Sequence, residues 1–541
     1  TIAVADSDHG CRIEVTLPAD ATRPITTKEP IMSTLTPPAP APTPPVAPPR
    51  DGLASYWPDA PRRRPGIVAA AAAVGAVAAT VIPERNIGIG TTLVFGAVAA
   101  TVLGARAWQS RPSSRAVAEA DFGGPLRAGA RRWSRLDSLD AALVALLMAT
   151  LFVRAAEWIT ILCLLAGLAL VAVNSTRAAS VLALLGTAAA VPLAALRGLP
   201  WLGRTLKPRT SVQAWIPAIR AAIFSVVLLL VFGALFASAD ALFASWVDAI
   251  TPDITWNDLP ARIVLALFIA AGTLAAAYVS LAPPAVDRLE LPLRPSRRLF
   301  EWLAPVTAVN AVFLLFLVAQ ATAMFGGHDY LKRTTGLTYA DYVHEGFGQL
   351  TVATILTLTV VAWAARKATP GRIRDLALGA LCVMTIVVVV SALYRMHLYE
   401  EAYGFTRLRL LVSVFEGWLG VIVVLVMVSG VVKARGWLVP LAVRLGAVGL
   451  LGLAVLNPDL YIAEHNLSRT DAVTPIDYSY LAGLSADAAP ALVDLRTAAV
   501  SCDTVPDRAP DDWLAWNVSR SSARTLVAKH PDPGIAACLV R

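Results

Sequence analysis

Long apolar runs, separated by short polar turns, follow one another from Ile67 to Leu456. A hydrocarbon core about 30 Å thick takes roughly 20 apolar residues per helical span, and the runs have about that length. They fall near residues 67–82, 87–105, 138–153, 156–173, 216–236, 261–282, 302–325, 345–365, 373–394, 408–429 and 437–456. The pattern predicts an all-α fold, a polytopic transmembrane helix bundle of about eleven spans. One further run, 178–196, is apolar enough to cross and would make twelve.

Charge orders these runs. Lys and Arg in short loops stay on the cytoplasmic side. The loop 106–135 carries seven Arg; Arg197, Arg204, Lys207 and Arg209 follow the run 178–196; Arg288, Arg294, Arg297 and Arg298 lie in 283–300. For all three to share a side, an even number of crossings must separate Arg135 from Arg197. The two spans 138–153 and 156–173 meet that condition if 178–196 lies in the interface or re-enters, broken by Pro192. The segment 237–260, with Asp240, Asp248, Asp253 and Asp258 and no Lys or Arg, then reads as external. This alternation puts the N-terminus in the cytoplasm and the C-terminus on the opposite, extracytoplasmic side.

Composition agrees with the pattern: 16% of residues are charged and 56% hydrophobic, with a mean hydropathy of +0.62, against about 25% charged in soluble domains. The net charge of +8 does not indicate nucleic acid, because the basic residues are dispersed in loops and form no contiguous domain able to neutralise phosphates. The expected partner is the lipid bilayer, with a small molecule, an ion or a lipid as ligand.

The ends are different material. Residues 1–66 include a Pro-rich stretch from Pro37 to Pro49 that favours extended polyproline II and builds no core, so a disordered cytoplasmic tail is expected, with Met32 as the expected physiological start. Residues 457–541 lose the apolar runs and predict a small α-helical extracytoplasmic domain, with helices over 486–500 and 512–529, the second opened by Asp511 and Asp512. Cys502 and Cys538 lie there and are candidates for a disulfide in an oxidising compartment; Cys163 and Cys382 lie within spans.

Recognised chemistry is sparse. The chain has no phosphate-binding loop, His-Glu-x-x-His, Cys-x-x-Cys or nucleophile elbow, so no cofactor and no metal centre is predicted and no catalytic residue is assigned. A polar and aromatic group does stand out where the late spans meet the external face. It comprises His344 and Glu345; His397, Tyr399, Glu400, Glu401, Tyr403, Arg407 and Arg409; and Tyr461, Glu464 and His465. Such side chains can relay protons, share a cation or grip a polar headgroup, and equally, aromatic belts mark any membrane interface. Glu416 differs, falling near the middle of the span 408–429, where a bare carboxylate costs a few kcal/mol. Asn310, Gln320 and Gln349 could line a cavity with it.

Three stretches carry a resemblance. Tyr342-Val343-His344-Glu345-Gly346-Phe347-Gly348-Gln349-Leu350, the run Leu398–Arg409 with its Tyr-Gly-x-Thr-x-x-Arg element, and Asn457-Pro458-Asp459 ahead of Ile476–Leu481 resemble a bacterial integral-membrane family catalogued as domain of unknown function 4173, related to 4153. The resemblance implies a bacterial plasma-membrane protein and no particular reaction. The expected role is transport, sensing or envelope scaffolding; the alternative is a membrane enzyme acting on a lipid-linked substrate at the outer face through the Tyr, His and Glu group.

Overall fold

The long apolar runs form helices because a backbone in hydrocarbon must satisfy its hydrogen bonds within its own segment. The structure, a computed structural model, describes Trp57, residues 61–109, 135–206, 258–286, 298–325, 347–432, 436–469, 475–495, 512–530 and 534–539, and scattered positions between 224 and 240. The tail before Trp57, most of the expected span 216–236, His344, Glu345 and Cys502 lie outside the described residues.

The main helices are α1 (Pro65–Val81), α2 (Ile89–Gln109), α3 (Arg135–Val153), α4 (Glu157–Thr176), α5 (Val181–Arg197), α6 (Leu199–Leu206), α7 (Leu259–Leu281), α8 (Leu299–Phe325), α9 (Phe347–Lys367), α10 (Arg372–Tyr403), α11 (Arg407–Val432) and α12 (Leu438–Leu456). Beyond them come α13 (Pro458–Leu467), α14 (Tyr478–Ala482), α15 (Ala489–Leu492) and α16 (Val518–Lys529). Among the described residues, nine helices are long and apolar enough to cross a membrane, or ten if the bent pair α5 and α6 counts as one span; α1 is apolar but shorter. The apolar surface is turned outward, as a bilayer requires: Phe268 is 73% exposed and Leu315 71%, and large exposed apolar surfaces are rare on soluble monomers.

Local chemistry sets the helix ends. Pro65 opens α1 at a position where the missing N–H is harmless, and the Ser180 hydroxyl accepts from Ala183 N to cap α5. Asn457, at φ 61°, ends α12 in the left-handed conformation that Asn tolerates, and Pro458 starts α13 at once.

Three expectations are corrected. The break after 178–196 does not fall at Pro192, which α5 carries internally; the chain bends by 45° between α5 and α6, around Gly198. Ala183 packs with Val286, while Arg197 reaches Trp57 O at 2.9 Å and the Trp57 indole donates to Ala282 O at 2.7 Å. Both ends of α5 therefore lie beside the C-terminal end of α7. In the tail, the expected helix over 486–500 is, across its described residues 486–495, a 3-10 turn, Ala486–Ala488, followed by the four residues of α15. The helix expected from 512 starts at Val518, because Asn517 supplies the cap by accepting from Arg520 N at 3.2 Å. Asp512 instead closes a turn with Ala515 N at 2.7 Å and takes Arg85 at 2.5 Å.

The main apolar core runs without interruption from α2, α3, α4 and α7 through α12 into α13, α15 and the segment Gly534–Leu539. The helices share a common set of ends. The starts of α3, α8, α10 and α12 and the ends of α2, α4, α7, α9 and α11 lie at one end, with Arg106, Arg177, Arg298, Arg366 and Arg374 at or next to these helix ends; we call it the arginine end. The described segments after Leu456 gather at the other, the tail end.

Candidate functional site

Three polar groups interrupt this apolar frame. The first, at the tail end, is built on two buried aspartates. Asp459, in the first turn of α13, is fully buried. It accepts two hydrogen bonds from Arg407, at 3.0 and 2.5 Å, one from the Trp158 indole at 3.1 Å and one from Ser485 N at 2.8 Å. Burial alone would raise its pKa, but the paired bonds and charge of Arg407, with Ser485, outweigh that and hold the carboxyl below the ordinary carboxylate range. Asp487 accepts from Ala155 N at 2.8 Å, Ala156 N at 2.7 Å and the hydroxyls of Ser485 and Ser519. Ala156 has no side chain able to cap α4, so a carboxylate from the tail does so, where a helix N-terminus favours negative charge. Arg154 donates to the last carbonyls of α12, Ala454 O and Val455 O, and Asn517 to Leu151 O and Arg154 O at the end of α3.

The Tyr-Gly-x-Thr-x-x-Arg element is the hinge of this assembly. Gly404 ends α10 at φ 87°, and a Cβ there would run into Arg469 and Asn466. Asn466 clamps Phe405 from both sides, accepting from its N–H at 2.7 Å and donating to its carbonyl at 2.9 Å. Arg407 N donates to the Tyr480 hydroxyl at 2.8 Å, and burial raises the Tyr480 pKa. Arg409 folds back onto the Tyr403 and Gly404 carbonyls and lies 4.4 Å over the Tyr399 ring, which neighbours Tyr403 at 4.7 Å. Burial, with the charge of Arg409 close by, lowers the pKa of Arg469. Of the predicted residues, then, Tyr403, Arg407 and Arg409 shape a turn.

The second group lies at the arginine end, and no candidate residue anticipated it. Arg444 of α12 holds Asp140 of α3 with two bonds, at 2.7 and 2.9 Å. Asn174 of α4 donates to Asp140 at 3.0 Å and Asp137 at 3.2 Å, and Arg106 of α2 reaches Asp137 at 2.9 Å. The sequence signal was present: Arg444 is a charge inside an expected span, the same mark that singled out Glu416.

The third group is Glu416 itself, with no measurable exposure. Nine residues into α11, it lies about 14 Å from the start of the helix. Its partners are two threonine hydroxyls of α9, Thr351 at 2.8 Å and Thr354 at 3.5 Å. Among the described residues no ion pair includes it. One turn nearer the tail end, Ser413 donates to Glu400 of α10, which is also buried, at 3.5 Å. Two carboxyls and three hydroxyls therefore lie on α9, α10 and α11 in two bonded sets, with Ser413 and Glu416 three residues apart on α11. Glu401 turns outward instead and meets His397 at 3.2 Å, each 59% exposed.

Several expected neighbours lie elsewhere. Gln320 donates to Ser391 at 2.5 Å and Asn310 to Val306 O and Ala377 O; both tie α8 to itself or to α10, and these bonds do not involve the Glu416 carboxyl. Gln349 is exposed. Among the described residues, no group of three or more His, Cys, Asp or Glu is arranged to hold a metal ion. Cys538 is disulfide-bonded, whereas Cys163 and Cys382 are free and buried.

A family model described as domain of unknown function (DUF4153) matches residues 141–495, about two thirds of the chain. This is the relative of the family named from the sequence, and the matched residues include Glu416 with its threonine partners, Asp459, Asp487 and Arg444, while Arg106, Asp137, Asp140, Asn517 and Ser519 lie outside them. No curated protein and no solved structure matches.

Proposed function

We propose a role from the premise that the chain belongs to the DUF4153 family, whose description assigns no activity: a multi-pass protein of the bacterial plasma membrane that transports or senses a proton or small cation through Glu416. The carrying observation is the contrast between the complete burial of Glu416 and its two hydroxyl partners. A carboxyl at this depth costs a few kcal/mol on the mildest insertion scale, and such groups mark ion and proton pathways. Glu400 and Ser413 support the reading by extending the polar line toward the tail end, where Glu401 and His397 are exposed.

The proposed orientation places the arginine end in the cytoplasm. Two features support it: the helix ends that flank the Arg-rich stretches of the sequence share that end, as the distribution of Lys and Arg in membrane proteins favours, and the disulfide of Cys538 suits the oxidising side. Cys502 is its proposed partner. In this arrangement α5 lies along the inner leaflet without crossing.

The test is reconstitution of the full chain into liposomes carrying a trapped pH-sensitive dye and an imposed pH gradient, with and without Na⁺ or K⁺. The expected result is that the protein dissipates the gradient and that Glu416→Gln, inserted at equal density, does not. Equal rates for Glu416→Gln and the parent would overturn the reading; consumption of a lipid-linked substrate by the parent, lost in Tyr399→Phe and Glu401→Gln, would replace it with the enzymatic one.

A further inference from the structure

A cavity of about 300 Å³ opens between α1, the α5–α6 bend and α7. Its walls are apolar and mostly small: Val68 and Ala71 of α1, Ala195 and Gly198 at the bend, Leu267 and Ala271 of α7. Small residues create it. Gly75 lets α1 close onto Ala266 and Ala270 of α7, and α6, bent by 45° from α5, adds Leu199, Trp201, Leu202 and Leu206 to the wall.

The rim of the cavity is aromatic and cationic. Trp201, which lines it, donates its indole N–H to Arg62 O at 3.1 Å, and the rings of Trp57 and Trp201 lie 6.1 and 5.7 Å from that of Tyr278. Trp and Tyr gather at headgroup depth. Arg197 lies 5.6 Å over Trp57, with its Nε buried and lacking a hydrogen-bond partner. Arg62, Arg63 and Arg204 are exposed, and residues 61–68, 194–206 and 267–278 contain no acid.

We propose that this cavity binds an anionic phospholipid, one acyl chain in the cleft and the phosphate against Arg62, Arg63, Arg197 and Arg204. An apolar chain gains little by leaving bilayer for an equally apolar cleft, so the headgroup must carry the selectivity. Guanidinium groups grip phosphate with paired hydrogen bonds, and basic pockets between membrane helices select anionic headgroups. The proposal stands independently of the role given to Glu416, which lies on other helices.

The experiment is native mass spectrometry of the full chain in mild detergent, titrated with dioleoylphosphatidylglycerol or dioleoylphosphatidylcholine. The expected result is tighter retention of phosphatidylglycerol. Replacing Arg62, Arg63 and Arg204 by Gln should weaken it about five-fold per charge and leave phosphatidylcholine unchanged. Ala195→Phe, which fills the cleft and keeps the charges, should lower occupancy of both lipids, with thermal melting confirming an intact fold. Dioleoyl phosphatidic acid should compete, and glycerol 3-phosphate should not; competition by the latter would make the site one for a free phosphate ester. Equal retention of the two lipids, or an unchanged titration in either variant, would overturn the proposal.

Discussion

Arg444 and Glu416 are the same anomaly in the sequence, a charge inside an apolar run, yet the structure gives them opposite surroundings. Arg444 meets Asp140, and the pair is embedded in a set of donors and acceptors that joins α2, α3, α4 and α12. Glu416 is more deeply buried and meets two hydroxyls. Burial alone therefore does not separate a structural charge from a working one. On the proposed reading the partner set does: a group whose charge is matched in place holds helices together, and a group such as Glu416, with no counter-charge among the described residues, is available to exchange one.

The largest expected effect falls on the matched side. Asp140→Ala leaves Arg444 without its carboxylate, and removing one member of a buried pair costs about 3–5 kcal/mol. The effect should fall at or below the lower end of that range, because Asp140 is buried but Arg444 keeps 29% of its side chain exposed; the check is loss of monodisperse protein on size exclusion and a lower melting temperature. Asp459→Asn should act similarly at the tail end, moderated because Arg407 is about a third exposed.

The next effect sharpens the view of the Tyr-Gly-x-Thr-x-x-Arg element as a turn. Gly404→Ala meets both a positive φ and the Arg469 and Asn466 side chains, for a cost of about 1–3 kcal/mol. Melting should fall, whereas Tyr399→Phe, which keeps the ring under Arg409, should leave it nearly unchanged.

Acid supplies a smaller and signed test. The lowered pKa of Asp459 means that its contribution to stability is fully present above the ordinary value of 3.8 and is lost as pH falls through the folded value. Melting of the parent should drop below about pH 4, and Asp459→Asn should remove that part of the drop. Smallest of all, Gln320→Leu removes a hydrogen bond between α8 and α10 worth about 0.6 kcal/mol, a loss near the limit of a careful thermal comparison.

The helical frame was legible because its cause is local. Nine expected spans coincide with nine long helices, since each run carries its own length and apolarity. The bend was misplaced at Pro192 because a proline can stay inside a helix that neighbours support, while the bend formed next to Gly198. The tail was misread for a related reason: Asp511 and Asp512 look like helix openers, but Asn517 takes that position and Asp512 serves Arg85, 427 residues away in sequence. Glu416 was visible as a lone charge. Asp487, which caps α4 from a distance, gave no local sign, because its meaning lies in the missing cap at Ala156.

The central claim is that Glu416 exchanges charge and Asp140 holds structure. It is tested most directly by measuring melting temperature and gradient dissipation on the same liposome preparations of Glu416→Gln and Asp140→Asn. The account predicts that Glu416→Gln melts with the parent and loses dissipation, while Asp140→Asn melts lower, and its surviving folded fraction dissipates the gradient at the parent's rate per molecule. A Glu416→Gln protein that unfolds, or one that dissipates the gradient as the parent does, would contradict it.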